Sequence, residues 1–274
     1  MRYIKLTFKY CVKNILFLFL MSLIPAVFIG SLLSPFKFLE FINNYAKISV
    51  GNFGDIFYSI IDISWLKILF YILAFAILSL FLSVIVGEIE NHFRSGKKNY
   101  FNVKHYINNN ILTILLNLLI FVVINFIVSF LCGTLIYLFH VMLCGLNSTA
   151  SVACVIIAIV LFTLYFCVIC LSGLAILINT PNMLFNGYNF KQAISSTINL
   201  IGKDFFNLVL AYLLPFVLII PLISIFNFSS VALHIVSTVC IIISVIYYSS
   251  FALTAYFDLS NIARYDERKY FQIK

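Results

Sequence analysis

Two long tracts without a single formal charge constrain this chain more than anything else in it. No Asp, Glu, Lys or Arg occurs from His105 to Phe190, and none from Phe205 to Phe257. A soluble domain carries about a quarter charged residues; here 9% are charged and 64% apolar. A soluble core of this length cannot hide that much apolar surface. Each bilayer crossing takes roughly 20 mainly apolar residues, so the chain reads as an all-α, polytopic membrane protein. The strict alternation of barrel strands is missing from the apolar runs, which argues against a transmembrane barrel.

Six runs are long enough to span: 14–33, 68–86, 111–139, 150–178, 205–226 and 231–257. Together they make residues 1–274 one integral membrane domain. The third and fourth runs exceed what a bilayer requires and are expected to tilt or protrude. The first could be mistaken for a secretory signal, but it is long, contains Pro25 and lacks a small-x-small cleavage site, so it is read as a span.

The basic residues set the orientation. Arg2, Lys5, Lys9 and Lys13 precede the first span; Arg94, Lys97, Lys98 and Lys104 follow the second; Lys191 and Lys203 follow the fourth; Arg264, Arg268, Lys269 and Lys274 lie in the tail. Of the 17 Lys and Arg residues, only Lys37, Lys47 and Lys67 fall on the other side. Positive-inside bias then places both termini in the cytoplasm. The net charge of +8 belongs to that inner face and favours anionic lipid headgroups as partners. No soluble basic domain is present to bind nucleic acid.

Short amphipathic segments precede the odd-numbered spans. In 1–13, Arg2, Lys5, Lys9 and Lys13 recur at helical spacing with Ile4, Phe8 and Val12 between them, the pattern of a basic helix on the inner leaflet. Tyr100–Asn110 is a less regular second instance. The most regular is Lys191–Asp204, with Gln192, Ser195, Ser196, Asn199 and Lys203 on one stripe and Ile194, Ile198, Ile201 and Phe205 opposite. Pro181 and Gly187 are expected to separate it from the fourth span, with a bend at Gly202–Asp204. Pro215 and Pro221 should kink the fifth span and free backbone carbonyls for neighbouring helices to satisfy. Odd spans beginning near 14, 111 and 205 suggest three related units of surface helix plus two spans.

Ser34–Lys67 is the one sizeable outer connection, with a turn at Gly51-Asn52-Gly54 and a short surface helix from Asp55 to Trp65. Asn147-Ser-Thr and Asn227-Phe-Ser match the glycosylation triplet but lie tight against the membrane and are read as chance.

Several residues could carry chemistry. Asn117, Phe121, Asn125, Ser129 and Gly133 follow at steps of four along one face of the third span. Such a stripe either lines a polar path or, more commonly, glues helices together. Glu88 and His92 share a helix face near the inner surface and, with Asp258, could form a metal or acid/base site; cytoplasmic helix ends also carry solvated charges as a rule. Cys167-x-x-Cys170 has thiol-oxidoreductase spacing, but it sits mid-span with no basic group to favour a thiolate, so it is read as packing. Cys132 and Cys144 flank one end of the third span and could pair. No nucleotide-binding loop, dinucleotide fingerprint, H-E-x-x-H or G-x-S-x-G occurs, so neither a cofactor nor a metal is expected.

Lys191 to Phe205, followed by its proline-broken span, resembles a segment of bacterial six-span proteins: the membrane domain attached to some glycerophosphodiester phosphodiesterases, and YciC-like and DUF975-like proteins. The resemblance implies a six-helix membrane domain in a bacterial plasma membrane. The soluble domain that carries phosphodiesterase catalysis is missing from this chain, so no catalytic residue is implied. The expectation is a non-enzymatic envelope component acting on membrane lipids, on another membrane protein or through self-association. The alternative is a permease for a neutral or amphipathic solute using Asn117, Asn125 and Ser129. An intramembrane enzyme using Glu88, His92 and Asp258 comes third.

Overall fold

The structure is a computed structural model that describes residues 2–30, 65–97, 102–144, 150–226 and 230–265. The turn and helix expected within 34–64, both glycosylation triplets and the basic tail beyond 265 lie outside the described residues. Among the described residues every regular element is a helix: α1 (Arg2–Lys13), α2 (Ile15–Gly30), α3 (Trp65–Ser95), α4 (Val103–Cys144), α5 (Ala150–Asn186), α6 (Phe190–Gly202), α7 (Phe205–Ile225) and α8 (Ser230–Leu259). Five are long and apolar enough to cross a membrane, and six crossings result if α1 and α2 count as one bent span.

Two boundaries differ from the sequence reading. Helix α4 runs without a break from Val103, so the segment before the third span is continuous with it. Helix α5 passes through Pro181 and stops only at Gly187, whose φ of 64° suits glycine and whose N–H closes the last turn on the Met183 carbonyl at 3.0 Å. The proline therefore ends nothing.

The described parts of 1–33, 70–119 and 173–274 form one compact unit, and those of 34–69 and 120–172 another. In the first unit α8 is the hub, packed against α2, α1 and α7. A Cβ on Gly30 would sit 3.1 Å from Thr238 Cα, so α2 and α8 approach backbone to backbone there. The Gly30 carbonyl, left over at the end of α2, accepts from Ser237 Oγ at 3.3 Å and lies 3.3 Å from His234 Nδ1. Between α3 and α4, a Cβ on Gly87 would meet the Tyr106 ring at 2.7 Å and Asn110 Nδ2 at 2.8 Å.

The α1–α2 and α6–α7 pairs are built alike. Each opening helix closes with a tight i→i−3 bond, Asn14 N–H to the Cys11 carbonyl and Asp204 N–H to the Ile201 carbonyl, both 3.2 Å. Asn14 and Asp204, good N-cap types, then start the long helix by accepting at their carbonyls from Leu18 N–H at 3.2 Å and Leu208 N–H at 3.1 Å. The bend between α1 and α2 is 91°. Counterparts fall at one constant spacing: Thr7 and Thr197 are fully buried, as are Leu18 and Leu208, and Pro25 and Pro215 are both buried. In α4, Tyr106, Asn110 and Ile114 repeat the buried series Tyr10, Asn14 and Leu18 without the bend.

Pro215 lacks the N–H that would bond the Ala211 carbonyl. That oxygen accepts instead from the Tyr247 hydroxyl at 2.7 Å, and Tyr248 donates to the next carbonyl, Tyr212, at 2.9 Å. A neighbouring helix thus satisfies what the proline leaves open. Tyr247→Phe is expected to destabilise the protein by about 1–3 kcal/mol, the cost of orphaning a buried carbonyl. Thermal unfolding of the purified protein in detergent, compared with the wild type, checks this.

Candidate functional site

The most developed polar feature of the interior is a ladder of amides in the first unit. Asn179, Asn182 and Asn186 project along one face of α5 at steps of three and four. Asn179 donates to Asn117 Oδ1 on α4 at 2.8 Å. Thr197 on α6 donates to Asn179 Oδ1 at 3.2 Å, and Asn182 donates both to Thr197 Oγ1 at 3.0 Å and to the Ala193 carbonyl at 2.9 Å. Asn186 donates to Asn182 Oδ1 at 2.8 Å and lies 3.0 Å from the Tyr256 hydroxyl of α8, bonding to it. Asn117 also donates to the Thr113 carbonyl of its own helix at 2.8 Å. Asn117, Asn179, Asn182 and Thr197 are all essentially inaccessible to solvent.

Asn117, Asn179 and Asn182 each use both the donor and the acceptor end of the amide, which suits a buried site. Four helices are registered by it, and α6 is fixed about its own axis through Thr197. The ladder is a fastening; all its groups face one another.

The stripe read along the third span divides accordingly. Asn117 enters the ladder. Asn125, half-buried, donates to the Phe121 carbonyl of its own helix at 2.8 Å. Ser129 is buried and donates to the Tyr165 hydroxyl at 3.0 Å, within the second unit. Of the two roles left open for the stripe, packing describes Asn117 and Ser129. Sequence reasoning missed Asn179, Asn182, Asn186 and Thr197. The signal was the asparagine spacing within Asn179-Thr-Pro-Asn-Met-Leu-Phe-Asn186, masked because Pro181 was read as the helix end.

Glu88 and His92 do share a face of α3, and both are buried rather than solvated. Their neighbours differ from those of Asp258. Glu88 and Tyr106 are hydrogen-bonded. His92 Nδ1 lies 3.1 Å from the Tyr10 hydroxyl of α1. Asp258 pairs with Arg2. Among the described residues no three His, Cys, Asp or Glu side chains are grouped to hold a metal.

Around these groups the ends of α1, α3, α5, α7 and α8 are tied together. Tyr3 hydrogen-bonds Asp204, and burial, with the nearby Asp204 and Asp258 carboxylates, pushes its phenol well up, so it stays a neutral donor. Asn207 donates to Asp204 Oδ1 at 2.7 Å, and Lys203 Nζ donates to the Leu259 carbonyl at 3.3 Å. Phe93, Phe185 and Phe257, one from each of α3, α5 and α8, meet edge to face at 5.0–5.2 Å. Arg94 lies over Phe185 at 4.3 Å and Arg264 over Phe93 at 4.0 Å.

Cys132 is free and its thiol faces the Leu161 carbonyl at 3.7 Å; the side chain of Cys144 lies outside the described residues. Cys167 and Cys170 are free as well, Cys167 exposed and Cys170 buried on the apolar helix.

The opening helices α1 and α6 each show three faces. On α1, Tyr3, Thr7, Tyr10 and Cys11 pack into the protein; Phe8 and Val12 are exposed apolar residues with Ile4 beside them; Arg2, Lys5, Lys9 and Lys13 form an exposed basic face. On α6 the corresponding sets are Ala193, Thr197 and Ile201; then Ile194 and Ile198; then Lys191, Gln192, Ser195 and Asn199. At 100° per residue the faces follow in the same rotational order on both helices. Ile201, placed with the apolar stripe by the sequence reading, is turned into the protein instead.

No family model, curated protein or solved structure matches this chain. Asn182→Leu, which removes three ladder contacts, is expected to cost about 1–3 kcal/mol, whereas Asn125→Leu should stay within about 0.5 kcal/mol. Paired thermal-unfolding curves in one detergent distinguish the two.

Proposed function

We propose that this protein is a non-enzymatic, multi-pass component of a bacterial plasma membrane. It crosses six times with both termini in the cytoplasm, and acts through contacts with the lipid of the inner leaflet. The observation that carries the reading is the form of α1. A helix turned 91° from an apolar helix lies along the surface that the latter crosses. Its three faces then have distinct surroundings: Tyr3, Thr7 and Tyr10 on the bundle, Phe8 and Val12 in the acyl boundary, and Lys5, Lys9 and Lys13 among anionic headgroups. Helix α6 repeats the scheme with Lys191 beside uncharged polar residues.

The resemblance of the Lys191–Phe205 segment to bacterial six-span proteins agrees with this placement. A permease is less well supported, because Asn117 and Ser129 are engaged in helix–helix bonds and Asn125 bonds its own backbone. An enzyme at Glu88, His92 and Asp258 is not favoured, since these residues have separate partners.

Spin labels on the full-length protein in anionic bilayers test the reading. A label at Phe8→Cys is expected to be relaxed by oxygen and protected from a water-soluble nickel chelate, and one at Lys9→Cys to show the reverse. Equal chelate access at both would remove the surface-helix placement. Lys5→Gln/Lys9→Gln/Lys13→Gln should also lower the anionic lipid that copurifies, by several-fold at low salt, as measured by lipid mass spectrometry.

A further inference from the structure

The polar faces of α1 and α6 occupy equivalent places, but their chemistry differs. Where α1 presents Arg2, Lys5 and Lys9, α6 presents Gln192, Ser195 and Asn199, while Lys13 and Lys203 correspond. A groove runs along α6. It has a volume of ≈ 790 Å³ and is lined by Tyr188, Lys191, Gln192, Ser195, Ser196, Asn199, Leu200 and Lys203.

From this we infer that the α6 groove is a binding site for the phosphate headgroup of an anionic phospholipid, distinct from the charge-only contact made by α1. The inference rests on the proposed lipid association and adds a specific site to it.

Four features converge on that ligand. The recorded lining contains two ammonium groups and no carboxylate, because Asp204 is turned onto Tyr3 and Asn207. Between the lysines stand Ser195, Ser196, Gln192 and Asn199, hydroxyl and amide donors suited to phosphate and glycerol oxygens. The neighbouring strip of the same helix is apolar and open, with Ile198 61% exposed, so acyl chains along Ile194 and Ile198 bring a headgroup against Lys191, Ser195 and Asn199. Finally, the groove is held in place. Thr197, on the opposite side of α6, is bonded to Asn179 and Asn182, and Lys203 is bonded to the Leu259 carbonyl. A helix fixed in this way presents preformed donors rather than a mobile basic surface.

The test is lipid titration of the delipidated full-length protein in neutral detergent, read by native mass spectrometry and by thermal shift. The probes are dioctanoyl phosphatidylglycerol, dioctanoylglycerol and inorganic phosphate. Wild-type protein should retain one phosphatidylglycerol and melt at higher temperature with it, with little response to either other probe. Ser195→Ala/Asn199→Ala changes only exposed side chains and should weaken that binding about ten-fold or more, while Lys5→Gln/Lys9→Gln leaves it unchanged.

Equal affinity in wild type and Ser195→Ala/Asn199→Ala overturns the site. Equal protection by inorganic phosphate overturns the lipid as its ligand. A loss in Lys5→Gln/Lys9→Gln with none in Ser195→Ala/Asn199→Ala reduces the binding to general charge, which overturns the groove but leaves inner-leaflet association standing. Failure of that broader reading is separate and shows as chelate access at Phe8→Cys.

Discussion

A polar group inside hydrocarbon finds no water, so every such group must be answered from within the protein. This requirement is met at several polar residues of the interior, though Thr7 Oγ1 and Asn14 Oδ1 are buried without a hydrogen-bond partner. Tyr247 answers the carbonyl left open by Pro215, and Ser237 answers the one left at the end of α2. Asparagines of α4 and α5 answer each other, and Thr197 of α6 joins them. Apolar contact gives little directional preference between helices in lipid, so these bonds, each contributing perhaps 0.6–2 kcal/mol, set register as well as stability.

The same bonds prepare the surface. Helix α6 is anchored by hydrogen bonds through Thr197 and α1 through Tyr3 and Tyr10, with Thr7 buried on the same face, and three long helices meet at Phe93, Phe185 and Phe257. What remains outward on each short helix is an apolar strip beside a polar one, as a boundary between acyl chains and headgroups requires. The α1–α2 and α6–α7 pairs share one design: a helix break at Asn14 or Asp204, a buried threonine before it and a buried proline after it. They diverge where ligand contact would occur, with lysines on one and hydroxyls and amides on the other.

Much of the fold was legible in the sequence because membrane helices announce themselves by length and lack of charge. Short helices do occupy 2–13 and 190–202, where the three-four spacing points to them, but the 91° turn between α1 and α2 was not legible. Helix boundaries were less legible. Pro181 signals a stop in water, yet α5 continues through it to Asn186. The amide ladder was only partly visible: Asn117 stood out by its stripe, but its partners lie 62 or more residues away in sequence. Glu88 and His92 were recognised as sharing a face, but their burial depends on Tyr106 and Tyr10, which arrive from other helices.

Crossing number and direction are measured most directly by labelling single cysteines from outside intact cells, after replacing the 7 native cysteines. With six crossings and an inner basic face, Asn52→Cys reacts with an impermeant maleimide, and Lys97→Cys reacts only once the membrane is opened. Reaction of Lys97→Cys in intact cells, with Asn52→Cys protected, would contradict that topology and the inner-leaflet role built on it.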